Sequence, residues 1–168
     1  MYVEADAASR EYTLELPLFG ECVGEVRFWY HMYEYQSGTT MGTLELQQSV
    51  NHGVSWSTIW TRSGWQGTSW QFAELFVTTY HVTNLRFVGT TTSQSNYYYG
   101  DMAIDDLRVF GSGVDCEHTP NPTPMPTSAP TPVPTPDDFV CDFDNSDCGV
   151  GTSGYAWTRN SGPPPSPY

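Results

Sequence analysis

The stretch "EVRFWYHMY", residues 25–33, decides the fold class of this chain. Every second side chain is apolar or aromatic and shares one face of an extended strand: Val26, Phe28, Tyr30 and Met32. Such alternation is typical of a β-strand that buries one face. Further β-rich runs follow, separated by turns that carry glycine and serine: "GTLELQQSV" (42–50), "WQFAELFVTTY" (70–80), "TNLRFVGTT" (83–91) and "MAIDDLRVF" (102–110). No apolar stripe of helical period appears, so the sequence predicts an all-β sandwich of two antiparallel sheets.

The acidic composition of the chain argues against some classes of binding partner. The 168 residues include 19 acidic residues and only six basic ones, all arginine, which gives a net charge of −13. Such a surface repels phosphate backbones and anionic lipids, so we expect no nucleic-acid partner, whereas divalent cations suit it. No apolar run approaches the length of a membrane span, so this segment is not expected to insert into a membrane.

A proline-rich stretch divides the chain. The run 119–136 has eight prolines in 18 residues, cannot join a sheet ladder, and predicts an extended polyproline-II segment. We assign residues 117–140 to a Pro/Thr-rich linker, whose threonines suit O-glycosylation. Residues 141–168 return to a globular pattern, with Tyr155 and Trp157 on a predicted strand, but so short a piece cannot bury a sufficient core alone.

An ordered set of motifs carries a family resemblance. Along residues 1–116 the chain reads "YVEADAASR", "LPL", "CVGEVRFWYHMY", "GTLELQQS", "IWTRSGWQGTSWQFAELFV", "LRFVGTT", "GDMAIDDLRVF" and then a cysteine. This set resembles the MAM domain, the extracellular adhesion module of meprin-type metalloproteases, neuropilins and receptor-type tyrosine phosphatases. The resemblance implies a jelly-roll β-sandwich of two antiparallel sheets.

The resemblance also implies how the chain is divided. Domains of this family open with a "CDFE…CGW" motif, and "CDFDNSDCGV" (141–150) resembles that opening, with Asp144 and Val150 in place of the usual Glu and Trp. Residues 1–116 then correspond to a MAM domain that lacks its N-terminal fifth, and residues 141–168 to the N-terminal piece of a second one. A fold-back of 141–168 onto 1–116 is sterically allowed, and exchange with a neighbouring chain is the competing arrangement.

The four cysteines form an even set without a CxxC motif. They indicate two disulfides formed in an oxidising compartment, with four reduced, buried thiols as the alternative. The acidic loop between residues 141 and 148 is not an EF-hand, because its sixth position lacks glycine and no helices flank it, and its cysteine spacing does not suit zinc. The resemblance implies that Cys141 bonds Cys148 and that Cys22 bonds Cys116.

The neighbouring acids in "MAIDDLRVF" are candidate cation ligands. Strict alternation would send Asp105 and Asp106 to opposite faces, so that one carboxylate lies among apolar neighbours. It must then accept backbone N–H groups, pair with an arginine such as Arg27 or Arg86, or bind a metal. MAM domains often carry a structural cation, so the resemblance implies a Ca²⁺ site built from Asp105 or Asp106 together with Asp144.

The six tryptophans allow two interpretations. Trp29, Trp56 and Trp65 do not match core positions of the family, so they are candidates for a binding surface. That surface would be a platform on which sugars stack or a set of anchors for a protein partner. Packing in the core is the alternative.

These observations favour a non-catalytic function. The histidines are scattered, and no nucleophile elbow, zinc-protease motif or phosphate loop occurs in the sequence, so we expect no enzymatic activity. The resemblance implies an extracellular adhesion or protein-interaction module of a secreted or membrane-anchored multidomain protein, with other proteins or further copies of itself as partners. A carbohydrate-binding, lectin-like jelly roll that takes glycans and a purely structural spacer are the alternatives.

Overall fold

The computed structural model describes residues 1–3, 5, 7–16, 21–34, 40–79, 81–93, 100–115, 139–144, 146, 148–154 and 157–158. Within these ranges the chain forms β-strands and no helix. The strands are β1 (Tyr2–Val3), β2 (Glu11–Glu15), β3 (Glu21–Glu34), β4 (Thr43–Ser49), β5 (Ser57–Ser63), β6 (Gln71–Phe76), β7 (Asn84–Thr90), β8 (Gly100–Asp115), β9 (Phe139–Cys141) and β10 (Gly151–Gly154).

The strands form two sheets. In the first sheet the order is β1-β8-β3-β6, and β9 also pairs with β8. In the second sheet the order is β10-β2-β7-β4-β5. All the pairings between these strands are antiparallel. The predicted all-β architecture of two antiparallel sheets, consistent with a jelly roll, is confirmed.

The core lies between the inner faces of the two sheets. The alternation that the sequence shows in β3 is realised, because its alternate side chains are buried: Val26, Phe28, Tyr30 and Met32. Leu44 and Leu46 of β4 and Phe87 of β7 are buried from the opposite sheet. The Phe28 and Phe87 rings meet edge to face with their centroids 4.9 Å apart. Aromatic pairs in this geometry stabilise a core beyond the area they bury, so this contact ties one sheet to the other.

Strand β8 carries two short strands on one edge. β1 pairs with its first half and β9 with its second half, while β3 pairs along the other edge. Between the two halves, Asp106 has a backbone φ of 49°, and the register of β8 with β3 shifts between Arg27 and Trp29. This is a β-bulge, and aspartate tolerates the left-handed conformation better than most residues do.

Residues 139–158 contribute to both sheets and to the core. β9 pairs with β8, and β10 pairs with β2. Trp157 is only 5% exposed, and its Nε1–H donates a hydrogen bond to the carbonyl oxygen of Tyr12 at 3.0 Å. Thr158 exchanges two backbone hydrogen bonds with Tyr2, each 2.8 Å long. The segment after the proline-rich stretch therefore supplies edge strands and a buried tryptophan to the sandwich built by the earlier strands.

The Trp157 indole packs over a glycine. A Cβ atom at Gly89 of β7 would lie 2.8 Å from the sulfur of Met102, 3.3 Å from Cγ2 of Val3 and 3.5 Å from Cζ2 of Trp157. The first distance is shorter than a carbon can tolerate without displacement of its neighbour. Glycine at position 89 therefore lets β7 approach these side chains closely.

Some predictions fall on residues outside the described ranges. Cys116 is one of these, as is the stretch 117–138, which makes up most of the predicted linker. Strand β9 begins at Phe139, so its first two residues lie within the predicted linker, which ends at residue 140. No helix in the described part of the chain is both long and apolar enough to cross a membrane.

Replacing Trp157 with alanine tests the contribution of the C-terminal segment. The substitution removes a buried indole and its hydrogen bond to Tyr12, so the free energy of unfolding should fall by about 3–5 kcal/mol. Trp65→Ala is the matched control, because Trp65 is 47% exposed and its loss should change stability by about 0.5 kcal/mol or less. Urea unfolding followed by circular dichroism measures both. Equal effects of the two substitutions would contradict the packing of Trp157.

Candidate functional site

The outer face of the first sheet exposes large apolar side chains. Trp29 pairs with Phe72 across β3 and β6, and Phe76 follows on the same face of β6. Val140 of β9 lies opposite Arg108 on the outer side of β8. The exposed fractions are 39% for Trp29, 51% for Phe72, 72% for Phe76 and 56% for Val140. We refer to these four residues as the apolar patch.

Arg27 lies between the two aromatic rows of the apolar patch. It pairs with Glu74 across the strands, and its Nε contacts the carboxylates of both Glu25 and Glu74. The hydrogen bond that Arg27 donates to Glu25 raises the pKa of the guanidinium. The same guanidinium lies 5.0 Å from the centroid of the Phe110 ring. Arg27 is therefore already engaged in salt bridges with two glutamates of the same sheet.

A small open cavity of about 210 Å³ borders the apolar patch. Among the described residues it is lined by Trp29, Trp70, Asp105 and Asp106. We refer to it as the bulge pocket, because both aspartates belong to the β-bulge of β8. Strict alternation predicted opposite faces for the two carboxylates, and this prediction is wrong. The extra residue of the bulge turns Asp106 towards the same pocket as Asp105.

Both indoles of the bulge pocket contact a second aromatic ring. The Trp29 ring lies 5.3 Å from that of Phe72, and the Trp70 ring lies 5.5 Å from that of His31, measured between centroids. His31 in turn stacks on Tyr33 at 6.0 Å. These contacts restrain the two indoles before any ligand arrives.

Asp105 is partly buried beside the pocket. Burial raises the pKa of its carboxyl group, although the hydrogen bond from the backbone N–H of Asp106 acts against that rise. This N–H donates to Oδ1 of Asp105 at 2.9 Å. A backbone N–H partner was one of the expected alternatives, whereas Arg27 pairs with glutamates and Arg86 donates to Gln47 at 2.8 Å.

Asp144, in the loop after β9, acts on the Asp105 carboxyl group. Its negative charge contributes to the raised pKa of Asp105. Asp105 and Asp144 therefore lie within electrostatic reach of each other although 39 positions separate them in the sequence.

The predicted cation ligands come together only in part. Ca²⁺ takes about six to eight oxygen ligands, most of them carboxylates and carbonyls. The described residues contain no group of three or more His, Cys, Asp or Glu side chains that could hold a metal ion. The side chains of Asp105, Asp106 and Asp144 by themselves therefore do not form a complete Ca²⁺ shell, and carbonyl or water oxygens would have to supply the rest.

One disulfide is described in full. Cys141 bonds Cys148, with their Cα atoms 6.0 Å apart, which confirms this pairing. The ring spans a sequence separation of seven residues, and such a closure stabilises the fold by roughly 2–3 kcal/mol. Cys22 is also disulfide-bonded, and its predicted partner Cys116 lies outside the described residues.

The three candidate tryptophans lie on different parts of the molecule. Trp29 lines the bulge pocket. Trp56 precedes β5, and the guanidinium of Arg86 lies 4.2 Å from the centroid of its ring. Trp65 follows β5 and is exposed. Of the three, Trp29 is the one that the structure brings next to acidic groups.

Sequence reasoning missed the residues that surround Trp29. Phe72 and Phe76 belong to β6. In the run 70–76, Trp70, Phe72 and Phe76 share one parity, and Ala73 and Leu75 share the other. Both parities are apolar, so alternation alone does not tell which face is buried. The sequence did contain one signal for an exposed face. Large aromatic side chains are concentrated at alternate positions of this short run.

Comparison with protein families identifies the family of this chain. The family model of the MAM domain, meprin/A5/mu, matches residues 1–117. The match spans all the strands from β1 to β8 and ends before β9 begins.

Replacing Asp105 with asparagine, in the presence of EDTA, tests its electrostatic environment. Because the folded-state pKa of Asp105 is raised above its unfolded value, wild-type stability falls as the pH rises from the unfolded pKa through the folded pKa. The amide keeps an oxygen for the Asp106 N–H but carries no charge. Asp105→Asn should therefore melt at a higher temperature than the wild type at pH 7 and lose this advantage towards about pH 3.

Asp142→Asn is the matched control for this substitution. The Asp142 carboxylate also accepts a backbone N–H, from Asp144 at 3.1 Å, but its side chain is exposed. Melting temperatures across the pH series should therefore differ less between this variant and the wild type. An identical pH profile for both variants would contradict the burial of the Asp105 charge.

Proposed function

The chain belongs to the MAM domain family, and on that premise we propose that it is a non-catalytic extracellular module that binds other proteins through the apolar patch. The family is one of extracellular adhesion modules. The observation that carries the proposal is the exposure of Trp29, Phe72, Phe76 and Val140 on one sheet face. Large exposed apolar side chains on one face of a sheet mark interaction sites on soluble proteins.

The composition of the apolar patch suits a protein interface. Aromatic residues are enriched among the side chains that dominate binding energy. Glu25, Arg27 and Glu74 lie between the aromatic rows, where the arginine pairs with both glutamates. These groups could pair with polar groups of a partner beside the aromatic side chains.

The partner class follows from the net charge. Two copies of the chain would each bring a charge of −13, and like charges oppose association at moderate ionic strength. We therefore propose a different protein as the main partner. Homophilic association through the same face is the competing arrangement.

A carbohydrate ligand is the second candidate. The observation that favours it is the position of Trp29 in a pocket with two carboxylates, because carboxylates accept hydrogen bonds from hydroxyl groups and indoles offer a flat apolar face. In this alternative, the site would be the bulge pocket and the ligand a glycan.

The location and domain organisation are proposed on the same basis. The disulfide between Cys141 and Cys148 suits an oxidising compartment, which supports a secreted protein or the ectodomain of a membrane-anchored one. We propose that residues 141–168 are the N-terminal piece of a second MAM repeat. Two observations support this assignment. The first is the "CDFDNSDCG" motif. The second is the pairing of β10 with β2, because β10 adds an edge strand that residues 1–116 do not contain.

A structural Ca²⁺ ion is also proposed. Asp105 and Asp144 would hold it together with backbone oxygens, and the ion would neutralise a carboxylate whose charge burial disfavours. The ion would stabilise the contact between β8 and the loop after β9. It supplies no reaction step in this proposal.

Replacing the two phenylalanines of the apolar patch tests the interaction face. The double substitution Phe72→Ser with Phe76→Ser should reduce binding of bead-immobilised protein to intact cells by roughly tenfold or more. Both side chains are more than half exposed, so the fold should persist. Val54→Ser is the matched control, because Val54 is 83% exposed in the connection between β4 and β5.

Pretreatment of the cells separates the two candidate functions. Protease treatment should abolish binding, whereas glycosidase treatment should leave it intact. The reverse pattern would replace the protein-binding proposal with the carbohydrate alternative. Aggregation of the beads without cells would show homophilic association.

Calcium titration tests the cation proposal. For a site with the affinity of extracellular modules, about 10 mM Ca²⁺ should stabilise the wild type by about 1.4–2.7 kcal/mol. Asp105→Asn should lose this response, and Mg²⁺ should not reproduce it. A melting temperature that does not change with Ca²⁺ would contradict the proposal.

A further inference from the structure

We propose that the bulge pocket receives a basic side chain, lysine or arginine, from a partner protein. This inference rests on the proposed function and specifies which chemical group of the partner is recognised. The pocket combines two indoles, Trp29 and Trp70, with two carboxylates, Asp105 and Asp106. No residue of that described lining is cationic.

The indoles provide the first part of the recognition. A lysine ammonium or an arginine guanidinium over the face of a tryptophan is attracted by the negative potential of the ring, and tryptophan is the strongest of the aromatic residues in this interaction. The chain already makes this contact elsewhere, where the Arg86 guanidinium lies 4.2 Å from the centroid of the Trp56 ring. In the bulge pocket the partner would supply the cation.

The carboxylates provide the second part. Asp106 is exposed, and Asp105 is partly buried, so its charge lacks full hydration. The described arginine beside the apolar patch, Arg27, has other contacts, because it lies between Glu25 and Glu74. A cation entering the pocket therefore gains two negative charges and displaces no existing ion pair that the structure describes there.

The same observations argue against other occupants. A neutral sugar would accept and donate hydrogen bonds but would not neutralise the partly buried charge of Asp105. The Ca²⁺ ion proposed above would take its second carboxylate from Asp144, which is not part of the described lining, so that ion would not fill the pocket itself. A second copy of the chain offers arginines but brings a charge of −13, which opposes its approach. A basic group on another protein satisfies all three observations.

The shape of the pocket does not depend on the ligand. The bulge fixes Asp106 in a left-handed conformation with its N–H bonded to Asp105, and Phe72 and His31 restrain the two indoles. A site that is organised in advance loses less conformational entropy on binding. The adjoining apolar patch would cover the aliphatic stem of the bound side chain, since lysine and arginine stems pack on apolar surface.

Titration of the ¹⁵N-labelled chain with small probes tests the proposal. The probes are the Nα-acetyl N-methylamides of lysine and arginine, with the norleucine and citrulline compounds as neutral controls and methyl glycosides as the sugar arm. The readout is the indole Nε1–H signals of Trp29 and Trp70, assigned with Trp→Phe variants, in EDTA. The lysine and arginine probes should shift both signals saturably, and the neutral controls should not.

Two charge variants separate the pocket from the general field of the protein. Asp106→Asn removes one pocket charge and keeps a residue that tolerates the left-handed conformation, and it should weaken lysine binding by roughly two- to fivefold. Glu45→Gln removes one charge from the outer face of the other sheet, where Glu45 accepts hydrogen bonds from Gln47 and Thr58, and should leave binding unchanged.

Three results would overturn the inference. They are equal weakening by both charge variants, equal shifts with norleucine, and shifts with a glycoside but not with lysine. Loss of cell binding in a Phe76→Ser variant, which keeps the Phe72 ring beside Trp29, with probe binding retained, would support both proposals. Probe binding without any cell binding by the wild type would contradict the proposed function alone. Cell binding without any probe response would contradict this inference alone.

Discussion

The antiparallel pairing of β3 with β8 is the interaction on which the rest of the structure depends. It runs from Glu21 and Asp115 at one end to Glu34 and Gly100 at the other, the longest pairing between described strands. Its register places Val26, Tyr30 and their partners Val109 and Ile104 towards the core. Each of the remaining strands of the first sheet pairs with one of these two, so the outer face of that sheet is set by the same register.

The register shift of that pairing between Arg27 and Trp29 creates the candidate site. If β8 continued without a bulge, one of its two aspartates would point into the core, where an unpaired carboxylate is costly. The bulge avoids this cost and leaves both carboxylates beside Trp29 and Trp70. It also divides the outer edge of β8 between β1 and β9. One irregularity in one strand therefore determines a pocket and the attachment of two other strands.

The sequence predicted the architecture well because its information is local and repeated. The alternation of Val26, Phe28, Tyr30 and Met32 requires a strand with one buried face, and several such runs without helical periodicity leave few alternatives to a sandwich. The bulge was not predictable in this way. It depends on which residue of β8 lies opposite Trp29, and a register shift is a property of two strands rather than of either one.

The candidate site was predicted only in part, because residue types are visible in the sequence but the contacts between strands are not. Asp105, Asp106 and Trp29 were singled out by their residue types, but their meeting in one pocket, and the addition of Trp70, needed the tertiary register. Phe72 and Phe76 were missed because β6 is apolar on both faces. The role of Trp157 in the core depends on a contact with Tyr12 across 145 positions, which no pattern within a short sequence stretch contains.

The separation between the two parts of the sandwich has a consequence during synthesis. β8 ends at Asp115, whereas β10 ends at Gly154. At about 5–20 residues per second, the ribosome would need about 2–8 s to add the intervening residues. During that time the edges of β2 and β8 that later receive β10 and β9 have no partner from their own chain, and unpaired edges readily accept foreign strands. A nascent neighbour on the same messenger RNA would carry the same strands, so crowding of ribosomes would favour exchange between chains over closure within one.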